Sequence, residues 1–494
     1  SAGEPVDVAS GAMWMAQTDL SLPGRLPLIF ERTHLSSYRS GVCFGPTWSC
    51  VLDERVQLDA EGVVFAAADG MRLVYPVPEP GVAVLPVKGA RWPLEWDGKP
   101  GGLMTVTDPH TGVVRTFTHP GSTGVPGTVD LPLESLQDRG GARIDIDRTE
   151  QGTPTAIRHS GGYHVAVDTQ GPRITALRLL EEPVSGYERE AAAGAGTVVM
   201  RYGYDRAGNL TEVVNSSGRP LRFTYDAQGR VTSWTDRNGT SFSYVYDERG
   251  RVVRTSGSDG VLSGTLEYDQ DTLTTVYTDS LGHRTTYRHN ADGQVTEETD
   301  PLGHTTRTVW NARGDLRLSV TDPLGRTTRY AYDTTGNFTE VTRPDGSTAR
   351  AAYNALCQPT EVTPLGGATW HRRYDEQGNL LTTRDPAGAE TAYAYDDRGH
   401  LTAVTDPLGH TTRLTTNPAG LPQTVTDPLG HTTTVERDPF GRITTLTDPL
   451  GHTTRTTWTP EGLPSRRTHP DGTHETWTWD GEGNLLTHTD PAGH

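Results

Sequence analysis

The chain has 494 residues, carries a formal net charge of −18 and is only 33% hydrophobic, with 56 glycines and 34 prolines. This composition excludes a thick buried core and favours many short strands joined by tight turns, while the charge argues against nucleic acid or an anionic membrane as a partner. Three cysteines are too few for a disulfide scaffold, and no apolar run approaches the roughly 18 residues of a membrane span.

Residues 1–120 lack the periodicity of the rest of the chain, and we expect them to form a small, separate, β-rich domain that caps or plugs the remainder. The first twenty residues do not have the basic-then-apolar layout of a signal peptide. Cys43 and Cys50 flank the motif Gly-Pro-Thr-Trp, and the sequence leaves open a disulfide between them or two free thiols. Four tryptophans supply a candidate core: Trp14, Trp48, Trp92 and Trp96.

A repeat of 21 residues begins in weakened form within residues 121–203. Asp147 and Asp168 are 21 residues apart, and each is followed closely by a glycine. Asp205 comes 37 residues after Asp168, which we interpret as one repeat plus a 16-residue insertion near residues 181–196.

Residues 204–494 carry fourteen copies of this repeat, each opening with an aromatic residue or its equivalent, followed in most copies by Asp or Asn and then by Gly three residues on; some copies are imperfect, as where Thr459 replaces the Asp. A second turn signal, most often Asp-Pro-Leu-Gly, lies halfway along each copy, where proline fixes φ and glycine accepts a positive φ. About seven residues rich in Thr, Tyr and Val separate the turns, so each copy predicts one antiparallel hairpin. The opening residues are Tyr204, Tyr225, Tyr246, Tyr268, His289, Trp310, Tyr332, Tyr353, Tyr374, Tyr395, Thr416, Arg437, Trp458 and Trp479.

Fourteen hairpins predict about 28 strands in one continuous sheet from Thr197 to His494. At ~4.8 Å per strand this ribbon is ~130 Å long, and a twisted open sheet seldom exceeds ~10 strands without curling. We therefore predict an all-β fold, a spiralling antiparallel β-sheet shell around a space, with its handedness and strands per turn left open. We expect its lining to consist of Thr, Arg and short side chains, in strands where Thr327, Arg329 and Ala331 alternate with Thr328, Tyr330 and Tyr332.

Residue types that carry chemistry recur once per repeat, which favours structural roles for them. A two-carboxylate site needs one particular pair forced together, so we interpret the Asp-Pro aspartates as turn residues: Asp300, Asp322, Asp406, Asp427 and Asp448. We interpret the histidines after these turns as flanking the hairpins, with a pH response or metal binding as alternatives: His283, His304, His410, His431, His452 and His494.

Aromatic pairs such as Tyr330/Tyr332, Tyr393/Tyr395 and Trp477/Trp479 predict cross-strand packing, with a sugar-binding groove as the alternative. Cys357 occupies a position that other copies give to glycine, so we expect its turn to differ. A phosphate-binding loop, a Ser-His-Asp order and an HExxH helix are all missing from the sequence. We therefore assign no catalytic, cofactor-binding or metal-binding residue and expect no enzyme.

The repeat Tyr-Asp-x-x-Gly-Arg/Asn-Leu/Val-Thr, closed by Asp-Pro-Leu-Gly, resembles the YD repeat of the Rhs family, which includes bacterial Rhs toxins, the C components of insecticidal Tc toxins, and animal teneurins. The motifs at residues 3–7, 18–24 and 45–48 follow the order found in bacterial Rhs proteins. The resemblance covers essentially the whole chain and implies a hollow β-sheet cocoon around a variable C-terminal toxin. In such proteins a core segment after the last repeat closes the shell and often cuts the toxin free. This chain departs from that pattern, since it stops inside a repeat at His494.

The resemblance thus implies a non-catalytic shell segment of a polymorphic Rhs toxin, used in interbacterial competition or host attack. Its implied partners are its own C-terminal toxin domain and Rhs core, with a secretion-machinery component as a further candidate. Its implied localisation is that of a secreted or exported effector made in the bacterial cytoplasm. The alternative is an exported YD-repeat adhesin or carbohydrate-binding cell-surface protein, and a hydrolase is the weakest reading. We expect the chain to be a piece of a longer protein, and the residues after His494 would separate the first two hypotheses.

Overall fold

A computed structural model describes residues 5–59, 61–99, 102–118, 129–181 and 196–494. These residues form strands and turns almost throughout, and their only helical elements are the three-residue 3-10 turns Val51–Asp53 and Ser258–Gly260. The all-β prediction is therefore confirmed. Most of the expected insertion near 181–196 lies outside the described residues.

Fourteen strands precede the clear repeats: β1 (Trp14–Leu22), β2 (Leu28–Leu35), β3 (Trp48–Cys50), β4 (Arg55–Leu58), β5 (Val63–Ala66), β6 (Arg72–Tyr75), β7 (Leu94–Trp96), β8 (Leu103–Thr107), β9 (Val114–Thr118), β10 (Val129–Gln137), β11 (Arg143–Arg148), β12 (Pro154–His159), β13 (His164–Gln170) and β14 (Arg173–Leu179). The first half of the repeat region continues with β15 (Thr197–Tyr204), β16 (Leu210–Val214), β17 (Pro220–Tyr225), β18 (Val231–Thr235), β19 (Ser241–Tyr246), β20 (Val252–Gly257), β21 (Gly264–Asp269), β22 (Thr274–Asp279), β23 (Arg284–His289), β24 (Val295–Thr299), β25 (Thr305–Trp310), β26 (Arg317–Thr321), β27 (Thr327–Tyr332) and β28 (Phe338–Thr342). The second half comprises β29 (Thr348–Tyr353), β30 (Pro359–Thr363), β31 (Trp370–Tyr374), β32 (Leu380–Arg384), β33 (Glu390–Tyr395), β34 (Leu401–Thr405), β35 (Thr411–Thr416), β36 (Pro422–Thr426), β37 (Thr432–Arg437), β38 (Ile443–Thr447), β39 (Thr453–Trp458), β40 (Pro464–Thr468), β41 (His474–Trp479) and β42 (Leu485–Thr489).

The strands from β7 to β42 pair in chain order as one long antiparallel sheet. The continuous sheet predicted from Thr197 onward is thus confirmed. Strands β4 to β6 join it through β10, while β1 to β3 form a small sheet of their own. Strands β9 and β10, on either side of the expected boundary at residue 120, pair with each other. Independent folding of residues 1–120 stays a prediction.

The two turn signals form the same hairpin turn in most repeats. In the Asp-x-x-Gly turn after the opening residue, here called the Tyr-Asp turn, Asp333 Oδ1 accepts the N–H groups of Thr335 and Asn337 at 3.0 and 2.9 Å. In the second, here called the Asp-Pro turn, Asp300 Oδ1 accepts those of Leu302 and His304, both at 2.9 Å. These bonds confirm the turn role predicted for the aspartates.

The turn at Cys357 keeps this geometry, so the expectation that it differs is wrong. Cys357 has a φ of +59° and its N–H donates to the Asn354 carbonyl at 3.1 Å. The Asn354 side chain accepts from Leu356 and Gln358 as aspartate does elsewhere. The turn's hydrogen bonds therefore hold a non-glycine residue in the left-handed region, at an expected cost of about 1–2 kcal/mol.

Buried apolar side chains are concentrated in the first half of the chain. After Leu266 the buried hydrophobic residues of the described chain are Ala419 and Phe440. The accessible surface is 25344 Å², whereas a compact protein of this mass exposes about 18,000 Å². A wound ribbon with two partly wet faces accounts for the difference.

The four-tryptophan core is only partly correct. Trp48 is completely buried, whereas Trp14 on β1 is 44% exposed. Trp92 and Trp96 are half-buried against the core. Trp14 lies at the end of β1, and its place in the core is taken by Phe30, Phe44 and Phe65, which are fully buried.

The sheet winds until it passes over itself. Ser216, in the loop after β16, donates from its backbone N–H and its hydroxyl to the carboxylate of Glu461, in the loop after β39, at 2.9 and 2.8 Å. Asn238, in the loop after β18, donates to Asp480, in the loop after β41, at 2.9 Å. Both pairs of loops are 23 strands apart. One coil of this sheet therefore contains about 23 strands.

The concave face of the sheet carries the aromatic row. Tyr332 holds the repeat position of Tyr225, so Tyr330 corresponds to Phe223. The Phe223 ring packs on Trp48 at 5.2 Å, so this face turns toward the N-terminal residues. The alternate side chains of Arg329 and Ala331 are exposed on the other face. Of the expected lining of Thr, Arg and short side chains, Thr lies on this face together with aromatic residues and Val, whereas Arg329 and Ala331 lie on the other face.

Candidate functional site: the N-terminal segment against one edge of the sheet

Residues 5–53, here called the N-terminal segment, contact the Tyr-Asp turns of the first repeats. Thr47 Oγ1 donates to the Gly229 carbonyl at 3.2 Å, and Trp48 Nε1 donates to the Tyr225 hydroxyl at 2.9 Å. Further along the edge, the backbone carbonyl of Gly11 accepts the N–H of Val252 at 2.8 Å. The segment therefore binds mainly to polar groups that the hairpins already hold in fixed geometry.

Arginine side chains extend this contact to later hairpins. Arg25 donates to the Asn379 side chain at 2.9 Å and to the Gly399 carbonyl, while its own backbone N–H donates to the Ala419 carbonyl at 2.9 Å. The planar guanidinium presents several donors in a fixed arrangement, which suits turn carbonyls that point the same way.

Two arginines outside the segment do the same. Arg91 donates to the Asp315 carboxylate and the Thr334 carbonyl, both at 2.9 Å. Arg139 donates to the Leu356 carbonyl at 3.0 Å. The sequence offered no local signal for these three arginines, since nothing in their neighbourhood predicts a contact more than 200 residues away.

The contacts run around the whole first coil. Gly208 is reached through Arg173, which bridges its carbonyl and that of Val42, and Gly441 lies against Pro23. The contacts reach the following Tyr-Asp turns or, at 247–250 and 269–272, the strand residues just after them: 205–208, 226–229, 247–250, 269–272, 290–293, 311–314, 333–336, 354–357, 375–378, 396–399, 417–420 and 438–441. The two later turns, at 459–462 and 480–483, instead sit on the loops after β16 and β18.

A buried ion pair anchors the segment to the sheet. Arg32 is completely buried and its Nη2 donates to Asp19 at 2.9 Å, while the Tyr202 hydroxyl on β15 donates to the same carboxylate at 2.6 Å. Burial, together with the nearby Asp19 carboxylate, raises the pKa of Tyr202 well above its usual value, so the phenol keeps its proton. Arg32 also lies over the rings of Phe44 and Trp48. Removing one partner would leave an uncompensated buried charge.

Cys43, Cys50 and Asp53 form a buried cluster whose ligand atoms all lie within 4.8 Å of one another. Both cysteines are free thiols, so the structure contains no disulfide between them. Burial raises the pKa values of Asp53 and of the Cys50 thiol, and Asp53 accepts the N–H groups of Val42 and Cys43 at 3.0 Å. The cluster offers three donors, one fewer than a structural zinc site uses.

The post-turn histidines flank their own turns. His304 Nδ1 lies 3.0 Å from Asp300 Oδ2, and His410, His431 and His452 make the same contact within their own repeats at 2.9–3.0 Å. The backbone N–H of the histidine, followed by the other turn donors, holds the pKa of Asp300 below its usual value. These side chains face solvent with 56–59% of their surface exposed, and each ring is oriented by a carboxylate of its own turn.

The opening residue of most repeats links one hairpin to the one before it. Tyr353 donates from its hydroxyl to the carbonyl of Phe338 at 2.8 Å, and Trp458 donates from its indole to that of Ile443 at 2.9 Å. Arg437 reaches the equivalent carbonyl of Pro422 at 3.1 Å. All of these partners are 15 residues upstream, so the link is made where the slot holds a long side chain with a hydrogen-bond donor, which Thr416 does not provide. That requirement explains why Trp and Arg replace Tyr there.

Comparisons with known proteins agree with this architecture. The family model described as RHS Repeat matches residues 204–233, 225–262, 268–306, 310–348, 353–391, 374–411, 417–453 and 458–494, and a domain of unknown function, DUF6531, matches residues 3–75. A winding array of hairpins built on this repeat defines a class of β-repeat proteins. The chain belongs to the RHS repeat family.

A curated relative is the "Probable deoxyribonuclease RhsB" of Dickeya dadantii (strain 3937), which is 27% identical over 288 residues, 58% of this chain. The chain spans 18% of that relative's length. Solved structures that match 97% of the chain include TcdB2-TccC3, at 12% identity, 32% coverage of that chain and a TM-score of 0.39, and the Photorhabdus luminescens Tc holotoxin pore, at 11% identity, 29% coverage and a TM-score of 0.38. In the part of the chain that the structure describes, there is no helix with the length and apolar character needed to cross a membrane.

Proposed function

We propose that this chain forms the wall and one closed end of a container that encloses the C-terminal toxin domain of an Rhs protein. The observation that carries the proposal is the line of contacts between the strands before the clear repeats, here called the N-terminal region, and twelve successive Tyr-Asp turns or the strand residues just after them. An N-terminal region that only stabilised neighbouring strands would not need to reach turns as far apart as Gly229 and Ala419.

The wall holds its cargo by enclosure rather than by specific affinity. The donors of the aromatic row, such as those of Tyr353 and Trp458, are already bonded to backbone carbonyls. What remains toward the interior is a lining of ring edges, Thr and Val, which suits many unrelated cargoes. The aromatic row faces the N-terminal residues, as the packing of Phe223 on Trp48 indicates, which disfavours an adhesin that would stack sugars on these rings from outside. We further propose that the chain itself is not an enzyme and that the toxin carries the activity, in an effector exported from a bacterium.

Protease protection tests this proposal. The full-length Rhs protein that contains this chain, its closing segment and its C-terminal toxin domain is digested with trypsin, beside a variant in which Arg25, Arg91 and Arg139 are all changed to alanine. The toxin domain should survive in the wild type and be degraded in the variant. Arg329→Ala, on the exposed face, serves as the matched control and should protect like the wild type. Equal degradation in all three proteins would rule out enclosure.

A further inference from the structure

The second turns of all repeats lie along one edge of the sheet, here called the Asp-Pro edge. One coil contacts the next along this edge. Asn215–Gly218 and Asp236–Gly239 each receive a Tyr-Asp turn from 23 strands further along. The third residue of the arriving turn makes the central contact. Glu461 accepts the N–H and hydroxyl of Ser216, and Glu482 accepts the N–H of Arg237 at 2.6 Å.

These two receiving turns are polar, and they differ from most later ones. They read Asn-Ser-Ser-Gly and Asp-Arg-Asn-Gly, so their second residue offers an N–H and their third residue is hydrophilic. From Asp300 onward the same edge repeatedly reads Asp-Pro-Leu-Gly. Proline has no N–H to give, and leucine gives a carboxylate no partner, so a glutamate seated there would lose its hydration without compensation.

The leucines of this edge are conspicuously uncovered. Their exposed fractions are 76–82%, the highest of any large apolar residue in the described chain: Leu281, Leu302, Leu324, Leu408, Leu429 and Leu450. Adjacent copies are two strands apart, about 10 Å along the edge. They therefore form two runs of three apolar contact sites on the same edge as the polar turns at 216 and 237, one run at 281–324 and one at 408–450, separated by the turns at 343–346, 364–367 and 385–388.

We propose that the Asp-Pro-Leu-Gly turns are seats for Tyr-Asp turns whose third residue is apolar, presented by a further coil of the same repeat. Turns of that kind exist in this chain. Ala419 and Phe440 occupy the third position of their turns and are only 2% and 8% exposed, packed in the apolar core. The third residue of a Tyr-Asp turn thus matches the residues that the turn contacts. Glutamate occupies this position where the turn contacts polar groups, and an apolar residue occupies it where the turn contacts apolar groups.

A second copy of this chain does not fit as the occupant. Twelve of its Tyr-Asp turns, or the strand residues just after them, contact its own N-terminal region, and the other two rest on its own polar turns at 216 and 237, in the residues that the structure describes. A further coil of the same repeat fits better, because a coil of this sheet already occupies the turns at 216 and 237 on the same edge. The inference concerns how coils stack and does not depend on what the container holds.

Replacing the polar pair of turns at an existing contact with an apolar pair tests the rule that the two contacting turns match in polarity. We consider two variants, the single change Glu461→Leu and the double change Ser216→Pro with Ser217→Leu. Each should speed hydrogen exchange of the Gly462 and Leu463 amides at least tenfold, because the turn at 459–462 loses its contact with the turn at 215–218. The three changes together rebuild an apolar seat under an apolar turn and should return exchange to within about threefold of the wild type. Ser280→Pro, which creates an unoccupied Asp-Pro-Leu-Gly turn, should change nothing at residue 462.

The corresponding replacement at the second seat, Glu482→Leu with Arg237→Pro and Asn238→Leu, gives an independent repetition if the first set fails to fold. Recovery of protection in either combined variant supports the pairing rule. The rule is overturned if the amides of Gly462 and Leu463 stay protected from exchange in Glu461→Leu. It is also overturned if exchange in the combined variant is as fast as the added effects of the separate changes.

Discussion

At the residue scale, one side-chain oxygen organises each turn. The Asp or Asn that opens a turn accepts two backbone N–H groups, as Asp300 and Asn417 both do. Because asparagine provides the same acceptor, the charge of aspartate is not required for the turn. It does make the turns sensitive to acid, since hydrogen bonds from the turn amides hold the pKa of residues such as Asp300 below its usual value. That stabilisation is present above pH 4 and is lost as the pH falls through the lowered pKa.

His34 gives a second and separable acid sensitivity. It is completely buried beside Trp48, and burial, helped by the Arg39 charge, lowers its pKa to about 3. Between about pH 6.5 and 3, His34 binds a proton in the unfolded chain but not in the folded chain. The free energy of unfolding therefore decreases as the pH is lowered across that window. We expect His34→Phe to flatten the slope of unfolding free energy against pH there. Urea denaturation at several pH values measures it, and an unchanged slope would contradict the assignment.

Cys357 tests the cost of the left-handed turn position. Changing it to glycine should stabilise the protein by about 1 kcal/mol, because glycine adopts a φ of +59° without the clash that a Cβ makes. Cys357→Ala, which keeps the Cβ, is the control and should have little effect. Chemical denaturation of both variants gives the comparison, and destabilisation by glycine would show that the thiol makes a contact that matters.

At the scale of the element, the repeat unit is a hairpin tied to its predecessor on one face. The strands and turns could be predicted from the local pattern, because period-two alternation and Asp-x-x-Gly signals act within a few residues. The bond from the opening residue to a carbonyl 15 residues upstream could not, although the exchange of Tyr for Trp or Arg was visible at Trp458 and Arg437. The common property, a donor on a long side chain, became clear only from the geometry.

Deleting a single hydroxyl group measures this link. Tyr353→Phe removes the donor to the Phe338 carbonyl while keeping the ring, and should destabilise the protein by about 1 kcal/mol. Tyr330→Phe is a matched control on a neighbouring hairpin, since no such hydrogen bond from Tyr330 is present in the described structure. Equal effects from the two variants would assign the role of the slot to ring packing instead.

At the scale of the whole molecule, about 23 strands complete a coil and the N-terminal region contacts its edge. Neither feature follows from the sequence, because both depend on contacts between residues hundreds of positions apart. Arg25 illustrates the point, since it meets Asn379 and Gly399 only because the twist accumulated over the intervening hairpins brings them there. The need to curl was predictable from strand number alone, whereas the radius of the coil was not.

Small-angle X-ray scattering of the chain in solution tests most directly whether this sheet surrounds a space. A compact protein of 494 residues would have a radius of gyration of about 23 Å. A wound, hollow wall should exceed that value, and its pair-distance distribution should be shifted toward long distances relative to a solid particle of equal volume. A radius near 23 Å, or a distribution that peaks at short distances with a long tail, as an unrolled ribbon gives, would contradict the enclosed shell.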